Sequence, residues 1–332
     1  MDVFELTKTL VGIPSPTGSE GALADFISLH LKELGFDVGE QTVEPGRRNL
    51  FAAQAARPKV TFCTHMDTVP GDIPPSEDER HIYGRGACDA KGIMAALITT
   101  AAELAREGTK DVGLLFVVGE ETDSAGAKKA NSLDTGSQFL VVGEPTENKL
   151  GRGHKGVLTI KVSAKGRRAH SAFPHLGESA VEKLLDALER LRKLDLGEDP
   201  VLGRNLMNIG RIDGGSAPNV IPDSAWALIS FRTAVSPEAI LDRAAGAVGA
   251  GGEIEIITKS LPQVLFIVPG FEETVLPYGS DIPYLKSFGK PMLIGPGSAL
   301  DAHTEGEKIE KKQLLDAVEI YKRLARKLLG EK

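Results

Sequence analysis

Histidine and carboxylate side chains flank the apolar runs in the first half of this 332-residue chain. In chain order these residues are His65, Asp67, Asp89, Glu120, Glu121 and Glu144. Zinc binds imidazole nitrogen and carboxylate oxygen, and a carboxylate with two oxygens can bridge a pair of metal ions. The residue types therefore predict a metal site at which water could be activated for hydrolysis.

The spacing of these residues suggests separate roles within such a site. Asp67 lies two residues after His65, where a carboxylate can orient the imidazole of a metal ligand. Of the adjacent Glu120 and Glu121, one can bind metal while the other takes a proton from the attacking water. His303 follows a later apolar run, PMLIG, and could supply a second histidine from the same sheet.

Each of these residues also has an ordinary interpretation. A histidine after a strand is commonly a polar loop residue, a single glutamate there commonly caps a helix, and adjacent glutamates are commonly surface charges. These interpretations do not explain why all of the residues fall at one edge of the predicted sheet, so the metal site is the favoured hypothesis. Apart from His170, the remaining histidines are expected to be structural: His30, His81, His154 and His175.

The apolar runs 60–63, 112–118 and 139–142 are continuous rather than alternating, which is typical of parallel strands buried on both faces. Helical patterns are predicted at 21–34, 93–107 and 311–329. Ligands of an open α/β sheet bind beyond the carboxyl ends of its strands, so this fold would gather the candidate residues at one edge. We predict an α/β fold with a mixed, largely parallel sheet flanked by helices.

The pattern changes at about residue 156, where an alternating strand, GVLTIKVSAKG, precedes an amphipathic helix at 179–194. Two further strands, a helix at 237–249 and a last strand, EIEIITK, complete the order β-α-β-β-α-β, which is the ferredoxin-like pattern. We therefore predict an inserted α+β domain at 155–262. It would separate a first catalytic part at 1–154 from a second at 263–332.

The composition is that of an ordinary globular protein, with 41% hydrophobic and 26% charged residues. The net charge of −7 and the lack of a long basic run argue against nucleic-acid binding. No run approaches the roughly 20 apolar residues of a membrane helix, and no basic leader precedes an apolar run at the amino terminus. Two cysteines, Cys63 and Cys88, cannot form a disulfide framework, which favours a cytoplasmic location.

The sequence resembles the di-zinc aminoacylase/carboxypeptidase family, which includes acetylornithine deacetylase, succinyl-diaminopimelate desuccinylase and glutamate carboxypeptidase. The resemblance spans nearly the whole chain and rests on the motifs THMDTVPG, YGRGACDAKGIMAA, VVGEETDSAGA, VVGEPT, RRAHSAFPHLGESA and AHTEGE. Each motif alone is weak, but together they are highly specific. The resemblance implies a zinc-exopeptidase-like fold whose inserted domain is a lid that also mediates homodimerisation.

The resemblance also implies a site with two divalent metal ions, with zinc as the first choice and cobalt or manganese as alternatives. One ion would be held by His65, Asp89 and Glu144. The other would be held by Asp89, Glu121 and His303, so that Asp89 bridges the two ions.

Further roles are implied for residues outside the ligand set. Asp67 would orient the metal-binding imidazole, and Glu120 would be the general base that activates the bridging water and then protonates the leaving amine. His170 matches a lid histidine that reaches the partner's active site and stabilises the oxyanion. Asn219 and Arg232 match lid positions that bind substrate, Arg232 by pairing with its carboxylate. Their ordinary interpretations are a turn asparagine and an ion pair on a strand face.

We therefore predict a cytoplasmic, metal-dependent amidohydrolase that removes the acyl group from an N-acyl amino acid. The leading substrate is N-acetylornithine or a related acetylated basic amino acid, including lysine or ornithine carried on an amino-group carrier protein. In the family that the sequence resembles, the carboxypeptidase and dipeptidase branches have aspartate at the position of Glu144. The glutamate in GEPT therefore favours the deacylase branches. The alternative is a dipeptidase or carboxypeptidase on the same scaffold. A non-catalytic metal-binding homologue is disfavoured, because every ligand and Glu120 are present.

Overall fold

The computed structural model describes residues 1–331, which form two compact units. The first unit contains Met1–Arg152, Leu265–Thr274 and the described residues from Ser280 onward. The second contains Gly153–Val264 and Val275–Gly279. The short segment Val275–Gly279 joins the second unit because the amide of Lys155 donates to the carbonyl oxygen of Leu276 at 3.1 Å.

Both units contain α-helices and β-strands. In chain order, the α-helices are α1 (Val3–Val11), α2 (Gly21–Glu33), α3 (Gly92–Arg106), α4 (Ala125–Ala130), α5 (Ala180–Arg192), α6 (Pro237–Val248) and α7 (Lys311–Leu329). The first strands are β1 (Asp37–Glu44), β2 (Arg47–Ala53), β3 (Val60–His65), β4 (Ser76–Glu77), β5 (His81–Tyr83), β6 (Val112–Val117), β7 (Phe139–Val142), β8 (Leu150–His154), β9 (Gly156–Lys165) and β10 (Ala169–His170). The later strands are β11 (Glu198–Asp199), β12 (Gly203–Arg204), β13 (Leu206–Gly214), β14 (Val220–Ile221), β15 (Ser224–Thr233), β16 (Gly252–Ser260), β17 (Gln263–Val264), β18 (Glu273–Leu276), β19 (Lys290–Leu293) and β20 (Lys308–Glu310).

A six-stranded sheet lies at the centre of the first unit, with the strand order β1-β2-β6-β3-β7-β19. Strands β6, β3, β7 and β19 are parallel, whereas β1, β2 and β6 pair antiparallel. Every residue of β3 and of β6 is buried, as the continuous apolar runs predicted. The predicted α/β fold with a largely parallel sheet is confirmed.

The helices of the first unit were predictable where one face is continuously apolar. Helix α3 buries eleven of its fifteen residues, and α7 occupies the predicted span 311–329. Helix α1 and the β1–β2 hairpin were not predicted. Strand β1 has no fully buried residue, so it lacks the hydrophobic pattern on which the strand predictions depended.

The second unit contains a four-stranded antiparallel sheet with the order β13-β15-β9-β16. Burial alternates along β9 and β15, and the buried side chains form a core with apolar residues of α5 and α6. The Ser179 hydroxyl caps α5 by accepting a hydrogen bond from the amide of Glu182 at 3.2 Å. The predicted β-α-β-β-α-β, ferredoxin-like arrangement is confirmed.

Membrane-spanning helices require a long apolar stretch. No helix within residues 1–331 combines the length and the apolar composition needed to cross a bilayer.

Candidate metal centre

Three neighbouring parallel strands of the first unit deliver polar side chains to one edge of its sheet. His65 is the last residue of β3, Glu120 and Glu121 follow β6, and Glu144 follows β7. Because the strands are parallel, their carboxyl ends lie at the same edge, where ligands of α/β sheets bind. Asp89 lies just before α3, and the Asp89–Ala90 peptide bond is cis.

Asp89 lies between two histidines. Its Oδ1 atom is 2.9 Å from Nε2 of His65, and its Oδ2 atom is 3.3 Å from Nε2 of His303. The same His303 nitrogen is 2.9 Å from Oε1 of Glu121. One ligand atom each of His65, Asp89 and Glu121 lies within 4.8 Å of the other two, which is a spacing suited to a metal ion. His303 reaches this group from a backbone conformation with a φ of 62°.

The His65 imidazole is held by the backbone rather than by a carboxylate. Its Nδ1 atom lies 2.8 Å from the carbonyl oxygen of Asp67, and 3.6 Å from the Oδ1 atom of the same residue. A carbonyl oxygen can only accept, so Nδ1 carries the proton and Nε2 faces the ligand group. The contact between Asp67 and the His65 ring is therefore made mainly through the main chain of Asp67, and not through the carboxylate that the sequence suggested.

The Asp67 carboxylate has a different contact, which the sequence did not reveal. It accepts hydrogen bonds from the amides of Gly119, Glu120 and Glu121 at 2.9, 3.1 and 3.2 Å, and from the Thr17 hydroxyl at 2.7 Å. Gly119 has a φ of +82°, a conformation in which a side chain would be strained, and this turn points the three amides at one carboxylate. Asp67 thus fixes the loop that carries both glutamates.

Glu120 and Glu144 share a strongly negative environment. Burial raises the pKa of Glu120 well above its usual range, and the charges of Asp281, Asp89 and Glu121 act in the same direction. Burial also raises the pKa of Glu144, with further contributions from Glu120 and Asp89. Both carboxyl groups therefore resist ionisation unless a cation offsets the charge around them.

The donor set suits divalent metal ions. Within residues 1–331, no lysine or arginine nitrogen lies within 4.0 Å of the carboxylates of Asp89, Glu120, Glu121 or Glu144. Histidine nitrogen and carboxylate oxygen are ligands that zinc, cobalt and manganese accept. A bound divalent ion would supply Lewis-acid polarisation of a carbonyl group and would acidify water.

Metal affinity is expected to rise from about pH 5 to about pH 10, the pH at which His303 loses its proton in the metal-free protein. Hydrogen bonds to Asp89 and Glu121 raise the pKa of His303 to about 10 in the metal-free protein, and burial raises the pKa of Glu144. A raised pKa means that each group keeps its proton to a higher pH. Because a metal ion must displace these protons to bind, protons compete with the metal ion less as the pH rises. Calorimetric titration in buffers of different ionisation enthalpy should detect net proton release. An affinity independent of pH would contradict this assignment of ligands.

The remaining predicted residues lie in the second unit. His170 is exposed in β10, and its Nδ1 atom accepts a hydrogen bond from the amide of Ala172 at 3.1 Å. Asn219 is exposed in a turn, where its carbonyl oxygen accepts from the amide of Ser171 at 3.0 Å. Arg232 is exposed near the end of β15.

Two buried carboxyl groups of the first unit were not predicted from the sequence. Glu307 contacts the segment that contains Asp89, and burial raises the pKa of Asp281 to about 6. A weak signal for Glu307 was present, because it is the last residue of the AHTEGE motif, four residues after His303. Asp281 has no comparable signal, since it follows no apolar strand and lies outside the motifs that carry the resemblance.

Known proteins resemble this chain over almost its full length. A peptidase M20 domain-containing protein of Schizosaccharomyces pombe is 39% identical, with 97% of this chain and 84% of that protein covered. A probable carboxypeptidase of Emericella nidulans is 37% identical, with 97% and 88% covered. The crystal structure of aminopeptidase PepT from Bacillus cereus has the same fold, with a TM-score of 0.82, 19% identity and 98% of each chain covered. The sequence profile of peptidase family M20/M25/M40 matches residues 61–327. The chain therefore belongs to peptidase family M20/M25/M40 and is a metallohydrolase that acts on amide bonds.

Proposed function

We propose that the protein is a peptidase that hydrolyses dipeptides or removes the C-terminal residue of short peptides. The observation that carries this proposal is the group formed by His65, Asp89 and Glu121, with Glu120 beside it in the chain. The curated relative of Emericella nidulans, a probable carboxypeptidase, supports this choice of substrate over an N-acyl amino acid. The expectation of N-acetylornithine deacylation becomes the second candidate.

The chain's own residues account for the proton transfers of amide hydrolysis. Glu120 accepts a proton from the attacking water and returns it to the leaving amine. Asp67 keeps Glu120 in place, because the Asp67 carboxylate accepts a hydrogen bond from the backbone amide of Glu120. The Nδ1–H group of His65 donates to the Asp67 carbonyl oxygen, so the neutral ring has its lone pair on Nε2, the nitrogen that would bind metal.

We propose that the site takes two divalent ions, with zinc as the first choice and cobalt or manganese as alternatives. His65, Asp89 and Glu144 form one ligand set, and Asp89, Glu121 and His303 form the other. The position of Asp89 between the two histidines supports its role as the shared ligand.

Deacylation of an N-acyl amino acid is retained as a second candidate because of one residue. Glu144 stands at the position where the resemblance associates aspartate with the peptidases and glutamate with the deacylases. A peptidase and a deacylase would share the same proton transfers through Glu120, so only the substrate separates them.

A substrate panel tests the choice between the two candidates. Dipeptides, tripeptides with blocked amino termini and N-acetyl amino acids, among them N-acetylornithine, would be compared by kcat/KM with the metal-loaded protein. The proposal predicts hydrolysis of the peptides and at most weak activity on the acetylated amino acids. The opposite preference would replace the peptidase proposal by the deacylase. An enzyme inactive on all of them would overturn both.

His170 is proposed to stabilise the oxyanion that develops on the amide. Its Nδ1 atom accepts a hydrogen bond from Ala172, so the neutral ring carries its proton on Nε2 and can donate there. We expect His170→Ala to lower kcat by roughly 10²–10³ without changing metal content. His175→Ala, in the same exposed segment, is the matched control and should leave kcat unchanged. Equal kcat values for the two variants would remove His170 from the mechanism.

Other features of the second unit remain proposals. We propose that it is a lid that also forms a homodimer, which sedimentation of the purified protein would test. Within residues 1–331, no carboxylate forms an ion pair with Arg232, so its guanidinium is available for the carboxylate of a substrate. Asn219 is proposed to bind substrate from the neighbouring turn.

A cytoplasmic location remains a proposal, consistent with the free thiols of Cys63 and Cys88.

A further inference from the structure

Glu307 is a buried carboxylate directed at the segment that contains Asp89. Its Oε1 atom accepts hydrogen bonds from the amides of Cys88 and Asp89 at 3.2 and 3.1 Å. Its Oε2 atom accepts from Nη1 of Arg85 at 2.7 Å. Its side chain is only 1% exposed, so these donors replace water as its partners. In addition, its backbone carbonyl accepts from the amide of Gly84 at 3.0 Å.

The segment that Glu307 contacts has little regular structure of its own. Gly84 and Gly86 have φ angles of +143° and +83°, and Asp89 has a φ of −129° and a ψ of 94°, outside the helical region. Backbone amides in such a segment cannot rely on a helix or a sheet for their partners. Glu307 provides an acceptor for two successive amides, at Cys88 and Asp89.

Glu307 and His303 bring one short stretch of chain against Asp89 at two points. His303 approaches the Asp89 carboxylate, with Nε2 at 3.3 Å from Oδ2. Glu307, four residues later, accepts from the Asp89 amide. The backbone and the side chain of Asp89 are therefore held from the same segment, although 218 residues separate Asp89 from Glu307.

Glu307 and Asp89 have different roles in this arrangement: Glu307 contacts the backbone, and Asp89 faces the metal-ligand group. Both carboxylate oxygens of Glu307 already accept from N–H donors, and Arg85 compensates its charge. No arginine or lysine nitrogen lies within 4.0 Å of the Asp89 carboxylate among the described residues, and its oxygens face imidazole nitrogens. The Glu307 carboxylate is thus fully used in hydrogen bonds to backbone amides and Arg85, whereas the Asp89 carboxylate faces the histidines of the ligand group.

We infer that Glu307, supported by Arg85, is a positioning residue that holds the Asp89 backbone so that its carboxylate is preorganised for metal binding. The inference rests on the proposed metal site but does not depend on which substrate is cleaved. Outer residues of this kind commonly account for a roughly 10–100-fold difference in metal affinity.

The test measures metal binding directly in the full-length protein. Metal-free wild type and Glu307→Ala would be titrated with Co²⁺ and Zn²⁺ by calorimetry, and the visible spectrum of the Co²⁺ form would be recorded. We expect Glu307→Ala to bind metal about 10–100-fold more weakly, with an altered Co²⁺ spectrum. At saturating metal, kcat should recover substantially while KM stays near the wild-type value.

Two further variants keep the inference falsifiable if Glu307→Ala does not fold. In Glu307→Gln the amide oxygen can still accept from Cys88 and Asp89, so its metal affinity should fall less than that of the alanine variant. Glu305→Gln changes an exposed residue of the same segment and should bind metal as the wild type does.

The possible outcomes distinguish positioning from a purely structural role. Wild-type metal affinity and an unchanged Co²⁺ spectrum in Glu307→Ala would overturn the inference. If that variant does not fold, the same result in Glu307→Gln with a lower thermal stability, which would show that the Arg85 contact is lost, would overturn it. A lower affinity with normal binding by Glu305→Gln would support it. A wild-type protein that binds metal but cleaves no peptide would overturn the proposed function while leaving this comparison valid.

Discussion

Replacement of Glu120 by alanine is expected to lower kcat for peptide hydrolysis by roughly 10²–10⁴. Burial, reinforced by the nearby charges of Asp281 and Asp89, raises the pKa of Glu120 well above its usual range. A carboxylate with a raised pKa can take a proton from water and return it to the leaving amine near neutral pH. A loss of roughly 10³-fold corresponds to about 4 kcal/mol of transition-state stabilisation.

The metal content of the Glu120 variants shows whether only the general base is lost or whether metal binding is lost as well. Glu120→Ala should retain metal, since His65, Asp89 and Glu121 are unchanged, and atomic emission of the dialysed protein would measure it. Glu120→Gln keeps the size of the side chain and removes only its basicity, so it should be equally impaired. Full activity in either variant would contradict the general-base role. Loss of metal in both would instead identify Glu120 as a ligand.

Replacement of Asp89 by asparagine is expected to have a comparably large effect, through metal binding. Asp89 is the residue shared by the two proposed ligand sets, with its oxygens 2.9 Å from His65 and 3.3 Å from His303. Loss of an outer-shell partner typically costs roughly 10–100-fold in affinity, so loss of a shared ligand should cost more than about 100-fold. Hydrolysis should then fall to background at ordinary metal concentrations.

The control for this experiment is Glu79→Gln, which removes one negative charge from an exposed position between β4 and β5. It should bind metal and cleave peptide as the wild type does. Equilibrium dialysis against Zn²⁺ would compare the two variants. If Asp89→Asn binds two equivalents of metal with wild-type affinity, Asp89 is not a bridging ligand.

The fold was predictable where local hydrophobic patterns are strong. Strands β3 and β6 are buried along their full length, and α7 has a continuous apolar face, so their patterns are unambiguous. Strand β1 could not be predicted in the same way. It pairs with β2 while most of its residues are exposed, so its pairing depends on a partner strand rather than on its own pattern.

The candidate site was predictable in residue type but not in its supporting contacts. His65 and Glu121 stand at or just after the ends of apolar strands, which is visible in the sequence. The main-chain contact that orients His65 and the three amides held by Asp67 were not visible. Such contacts depend on the path of the backbone, which residue type does not specify.

The sequence by itself determined the fold class, the inserted ferredoxin-like unit and a set of residue types suited to binding metal. Hydrophobic periodicity and side-chain chemistry are local properties, so they can be read from consecutive residues. Only the tertiary structure decided that the Asp67 carboxylate accepts from three successive amides, and that Glu307 accepts from the Asp89 amide across 218 positions. These contacts depend on which distant segments the sheet brings to one edge, and no local pattern records that.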